Sequence, residues 1–205
     1  MNQDSGSAKQ PKTARGRKTR EKLLQAAEIE FGEKGFHEAA ISGITQRAGV
    51  ALGTFYVYFD SKEEIFRALV SYMGHLTRTS IAQRVASAPD RLSAEREGVR
   101  AFIEFVRAHR NLYRIVSEAQ FVAEDAYRDY YQTFASGYVQ NLEAAAERGE
   151  IRAGEQEIRT WALLGMNVFL GMRFADWDDS VEAGRIADAV ADLIAHGMAR
   201  QEPDA

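Results

Sequence analysis

The chain has 205 residues, 45% of them apolar, and carries a net charge of -4, so it is long enough to bury a sizeable core as one domain or two small ones. It has no cysteine, which excludes disulfides, thiolate metal sites and a cysteine nucleophile and is compatible with a reducing compartment. Three prolines among long stretches rich in Ala, Leu, Glu and Arg predict an all-α protein of about nine helices.

Residues 1–14 are polar, contain Pro11 and lack periodicity, which predicts a disordered basic arm. Beyond it, Arg15, Arg17 and Lys18 are either solvated or placed to meet phosphate or a minor groove. A first helix is predicted over residues 16–34, with Leu24, Ala27 and Phe31 at helical spacing and Gly35 as its stop. Residues 41–48 and 52–58 then give two short helical patterns around the turn Ala48-Gly49-Val50. Asp60 and Ser61, followed by Glu63 and Glu64, announce the next helix. Two short helices on a tight turn followed by a capped helix read as a helix-turn-helix.

In that pair, Ile44, Ala48, Val50, Phe55 and Phe59 are expected inside, leaving Gln46, Leu52, Thr54, Tyr56 and Val57 outward. Gly53 allows close approach of backbone to phosphate, and Thr54, Tyr56 and Tyr58 carry groups that reach phosphate or base edges. Charge agrees with this reading. Residues 1–60 hold nine Lys and Arg against seven Asp and Glu, and residues 1–20 hold six basic groups and only Asp4 as an acid, so the acidic excess lies elsewhere.

The run Gly35-Phe36, Ile44, Ala48-Gly49-Val50, Gly53-Thr54-Phe55-Tyr56, Tyr58-Phe59, Ser61-Lys62 and Phe66 closely resembles the DNA-binding pattern of the tetracycline-repressor (TetR) family of bacterial transcription regulators. The resemblance covers roughly residues 17–66. It implies DNA contacts from Arg15, Arg17, Gln46, Ala51, Leu52, Gly53, Thr54, Tyr56, Val57, Tyr58 and Lys62. The chain departs from the pattern at Ala39 and Ala51, where a hydroxyl cap is usual and whose absence costs each helix about 1 kcal/mol. It departs also at Leu52, often basic in the family, and at Val57, often a polar ring. Fewer polar base contacts, with an apolar contact to a thymine methyl, are expected.

A fourth helix is predicted over residues 62–85, ended by Ala88-Pro89-Asp90. A fifth fits residues 93–109, a sixth 111–121, a seventh 124–148 before Gly149, an eighth 156–175 and a ninth 181–199. The eighth is apolar nearly all round and should be buried on more than one face. Small residues at Gly165, Gly171, Ala187, Ala191 and Gly197 allow the last two helices to pack closely, either within one subunit or with their symmetry mates. The resemblance implies the second, a homodimer. Pairing suits a short reading helix, because half-sites lie about 34 Å apart per turn of duplex.

Phe105, His109, Tyr113, Phe121, Tyr127, Tyr131, Phe134, Tyr138, Trp161 and Phe169 form a candidate lining for a pocket that takes a small organic effector, although each ring by itself reads as core. Arg107, His109, Arg110 and Arg114 would attract an anion or simply face solvent. The second half is also similar to regulators of this family that sense acyl-coenzyme A or aromatic thioesters.

No catalytic, metal or cofactor site is expected. His37-Glu38-Ala39-Ala40-Ile41 begins like a zinc-protease helix but places Ile41 where the second histidine must stand. The four histidines have no ligand spacing, and neither a phosphate-binding loop nor a nucleophile elbow occurs. The longest apolar run, residues 161–172, contains Asn167 and is too short to span a bilayer, and the polar N-terminus has no apolar core for secretion.

The expectation is therefore a cytoplasmic, dimeric, ligand-responsive regulator, a repressor released from its operator by a small organic effector. Residues 15–60 would read a palindromic operator on double-stranded DNA, and residues 61–205 would bind the effector and dimerise, without contact with a membrane. The alternative is a helical small-molecule binding protein or enzyme that keeps the helix-turn-helix only as scaffold.

Overall fold

The structure, a computed structural model, describes residues 11–198, and all regular elements among them are helical. In order they are α1 (Ala14–Glu38), α2 (Ile41–Ala48), α3 (Leu52–Tyr58), α4 (Lys62–Val85), α5 (Arg91–Ala108), α6 (Leu112–Val122), α7 (Glu124–Glu147), α8 (Gln156–Gly171), a π turn (Met172–Trp177) and α9 (Ala183–His196). They form two compact units, Met1–His75 with Asn111–Tyr131, and Leu76–Arg110 with Gln132–Ala205. The long helices α4 and α7 each contribute to both.

The bounds of α2, α3 and α4 are those the sequence predicts, but α1 is longer. It starts at Ala14, with the Thr13 hydroxyl accepting from Gly16 N at 3.1 Å, so the expected arm keeps only residues 11–13 within the described part and its residues 1–10 lie outside it. Gly35 does not stop α1 but kinks it, at φ 76° and ψ 169°. That kink leaves carbonyls and an amide without helical partners, and three side chains supply them. Arg114 donates to the Gly32 and Glu33 carbonyls at 2.9 Å each, Glu118 accepts from Phe36 N at 2.9 Å, and Lys62 donates to Phe36 O, His37 O and Ala39 O. The α2 N-cap is Ala40, one residue beyond the expected Ala39, and neither it nor Ala51 makes a side-chain cap.

The first unit is built on Phe31, Phe55, Phe59 and Phe66 with Leu23, Leu24, Ile44 and Ile65, all essentially inaccessible to solvent. Phe31 and Phe66 meet edge to face with centroids 5.0 Å apart, a favoured aromatic geometry. One carboxylate is buried with them. Glu30 is held by Lys34 at 2.7 Å and Arg47 at 2.8 Å, and its carboxylate lies where a side chain at Gly43 would be. Burial by itself would raise the Glu30 carboxyl, but hydrogen bonds from Lys34, Arg47 and Ala40 N hold it below its ordinary value.

In the second unit α9 lies along α5, burying Ala183, Ile186, Ala187 and Val190. Arg107 of α5 ties the π turn to the segment before α9 by donating to Phe174 O at 2.8 Å and Val181 O at 2.6 Å. The expected eighth helix accordingly ends its α form at Gly171 and passes through the π turn, and the ninth is shorter than expected, with Ala199 outside the described residues.

The pattern of burial on α8 inverts the usual one. Its buried residues are Gln156, Thr160 and Gly171, whereas Ile158, Trp161, Ala162 and Phe169 are exposed and Gly165 has open space above it. Positions 158, 161, 162, 165 and 169 share one helical face. Among the described residues α8 is therefore not buried on more than one face as expected. Of the small residues, Gly171 and Ala187 pack inside the unit, while Gly165 and Gly197 are open.

Candidate nucleic-acid interface and effector region

Gly49 ends α2 in the left-handed region, at φ 66° and ψ 38°, with its N–H on Gln46 O and Thr45 O, and Val50 N returns to Thr45 O at 3.1 Å. This closure turns the chain within three residues, and a glycine tolerates the required backbone without strain. Phe55 and Phe59 anchor α3 to the core, which forces the opposite side of a seven-residue helix outward. Ala51, Leu52, Gly53, Tyr56 and Val57 are exposed there, Tyr56 at 48% and Val57 at 61%, and Thr54 and Tyr58 are half-buried. Gln46 on α2 is exposed beside them in sequence, as are Arg15 and Arg17 in the first turn of α1.

Two cations of this unit are otherwise engaged. Lys62, expected at a phosphate, lies over the Phe36 ring at 4.6 Å and spends three hydrogens on carbonyls at the end of α1. Arg47 is held by Glu30 and Glu33, and those hydrogen bonds, Glu30 first, raise its guanidinium above the ordinary value. Lys62 was legible as a family position. Its partners were not, because they lie 23 to 26 residues earlier.

Of the ten rings expected to line an effector pocket, Tyr113, Phe121, Tyr127 and Tyr131 belong to the first unit and the other six to the second. Phe121 is 86% exposed, and Tyr127 and Tyr131 meet at 5.1 Å, where burial pushes the Tyr131 hydroxyl to a higher pKa. In the second unit Phe134 lies beneath Arg78, and Trp161 and Phe169 are on the exposed face of α8. Tyr138 donates its hydroxyl to Glu95, whose other oxygen is 2.9 Å from Arg91 Nε. Burial first, then Glu95, raises the Tyr138 hydroxyl well above its ordinary value, and burial also raises the Glu95 carboxyl against the opposing pull of Arg91.

Phe105 and His109 do line a cleft, whose other wall is Leu76, Thr79, Ser80 and Gln83 of α4. Sequence reasoning missed that wall because it looked for rings. The available signal was two hydroxyls and an amide spaced along an otherwise mixed helix. Among the described residues no three His, Asp or Glu side chains are grouped to hold a metal, and no helix is long and apolar enough to cross a membrane.

Comparison with known proteins agrees with this geometry. The profile of bacterial regulatory proteins of the tetR family matches residues 23–69. An uncharacterized HTH-type transcriptional regulator of Bacillus subtilis (strain 168), YdgC, is 28% identical over 191 residues, covering 90% of this chain and 95% of that one. The fold is that of the Bacillus subtilis regulator FadR solved with stearoyl-CoA (TM-score 0.74, 19% identity, 87% of this chain and 99% of that one). It is also that of AibR solved with isovaleryl coenzyme A and operator DNA (TM-score 0.67, 16% identity, 85% and 97%). The matched family comprises regulators rather than enzymes, and residues 23–69 carry the helix-turn-helix of the TetR family of transcriptional regulators, in a chain similar along its length to an HTH-type transcriptional regulator.

Proposed function

We propose that the chain is a ligand-responsive, dimeric DNA-binding regulator that acts in the cytoplasm as a repressor, released from a palindromic operator by a small organic effector. The observation that carries this reading is the sidedness of α3, which buries Phe55 and Phe59 and offers Leu52, Gly53, Tyr56 and Val57 to solvent. Leu52 and Val57 are apolar groups of the kind that meet a thymine methyl, and the Tyr56 hydroxyl serves a phosphate or base edge. Arg15 and Arg17 supply charge for the backbone beside it. Residues 15–60 are the reading head in this scheme and residues 61–205 bind effector and partner.

Dimerisation is supported by the uncovered face of α8. Trp161, Phe169 and Ile158 on one side of a helix whose buried side is partly polar are explained by a second copy covering them. FadR and AibR were solved with acyl-CoA ligands, and AibR with operator DNA, which supports a DNA-binding and effector-binding pair of activities here. The effector would act through α4, the helix that carries Lys62 at one end and lines the cleft with its second half. An effector that prefers the non-binding state by about 2.7 kcal/mol changes operator affinity roughly a hundredfold.

The test is a fluorescence-anisotropy titration of promoter DNA from the protein's own gene and its neighbours. Sequence-preferring affinity that falls with salt is expected; equal, weak affinity for every duplex would sink the reading.

A further inference from the structure

The cleft between α4 and α5 has a volume of about 460 Å³ and is open to solvent along one side. That size lies within the range of small-molecule sites. Phe105 and His109 stack with centroids 4.4 Å apart at 27°, which puts an aromatic pair on the α5 wall, Phe105 buried and His109 half-buried. Opposite, Thr79, Ser80 and Gln83 of α4 add two hydroxyls and an amide, with Leu76 at one end. Arg84, which lines the cleft, is ion-paired with Glu104, and Glu104 is shared with Arg100 of α5 at 2.9 Å. The C-terminal end of α5 falls here too, so the helix dipole presents its negative end.

We propose that this cleft seats the effector and that the effector is an uncharged planar aromatic molecule with hydrogen-bonding groups on one edge, not an acyl-CoA thioester. This rests on the regulator reading above. The ring lies along the Phe105 and His109 wall, and its polar edge is answered by Thr79, Ser80 and Gln83. The phosphates of a coenzyme A would meet an arginine already paired with Glu104 and the carbonyl end of a helix, a poor seat for a polyanion. Because one wall is α4 itself, an occupant acts directly on the helix that continues to Lys62.

The full-length protein is titrated with prodan, a neutral naphthalene with a carbonyl edge, and separately with stearoyl-CoA. Promoter binding is read independently by anisotropy. The variants are Ala108→Trp and Thr79→Trp, exposed positions that fill the cleft from opposite walls, and Ser136→Trp, an exposed control on α7. Saturable, blue-shifted prodan emission is expected for wild type and Ser136→Trp within twofold of each other, weakened at least tenfold in both cleft variants. Either cleft variant that unfolds at the wild-type temperature settles the point, so misfolding of one leaves the other to decide. Absence of prodan binding, equal binding by all variants, or stearoyl-CoA binding that the cleft variants abolish overturns the proposal. Prodan behaviour as expected in a protein that binds no promoter would leave the cleft as a ligand site and remove the regulator reading.

Discussion

The Lys62 ammonium donates to Phe36 O at 2.8 Å while lying 4.6 Å above the ring of the same residue, so one cation both caps the kinked end of α1 and covers its aromatic anchor. The carbonyls of His37 and Ala39, at 3.1 and 3.0 Å, complete its hydrogen bonds. Lys62→Ala therefore leaves three helix-end carbonyls without their donor. We expect a loss of about 2 kcal/mol in urea unfolding, in the range for hydrogen bonds to a charged group. An unfolding midpoint equal to that of wild type would show the cap to be dispensable.

Tyr56→Phe removes one exposed hydroxyl from α3 and should leave stability within about 0.5 kcal/mol. It separates recognition from folding, which Lys62→Ala cannot. Promoter affinity should fall for Tyr56→Phe, and for Arg17→Ala the plot of log affinity against log salt should become shallower by about one unit. Unchanged affinity and slope in both variants would place the duplex elsewhere.

Glu30 makes the first unit sensitive to acid. Its carboxyl lies below the ordinary value of 4.5 in the folded chain, so the stability it contributes is fully present above about pH 4.5 and is lost as the pH falls through its folded value. Glu30→Gln should flatten the pH dependence of the thermal midpoint below pH 4.5. It should also lower the midpoint at pH 7, where Arg47 loses a charged partner.

Two glycines close together in the chain should fail for different reasons. A methyl at Gly43 would come within 2.2 Å of the Glu30 carboxylate, so Gly43→Ala should cost about 1–3 kcal/mol by displacing a buried ion pair. Nothing lies within 4 Å of a methyl at Gly49, where only the left-handed backbone objects, so Gly49→Ala should cost about 1 kcal/mol. A Gly43→Ala variant as stable as wild type would mean that the Glu30 pocket relaxes freely.

Phe169→Glu tests the uncovered face of α8. Sedimentation should move from dimer toward monomer while the helical signal by circular dichroism is retained, and promoter affinity should fall because two half-sites are no longer held together. A dimer of unchanged stability would assign that face to another partner.

The helix pair is legible in the sequence because the information is local: Gly49 between two short apolar patterns, Ser61 and Glu64 at the next helix start, and Phe55 four residues before Phe59. Hydrogen bonds spanning three to five residues and side chains sharing a helical face are written in neighbouring letters. The role of Lys62, the grip of Arg114 and Glu118 on the Gly35 kink, and the polar wall of the α4 and α5 cleft were decided only by tertiary structure. The partners of Lys62 lie 23 to 26 residues away and those of Arg114 and Glu118 lie 81 or 82 away, and an ammonium facing carbonyls has the same letter as one facing solvent. The same holds for α8, whose composition predicts burial on more than one face although, among the described residues, only Gln156, Thr160 and Gly171 of it are buried.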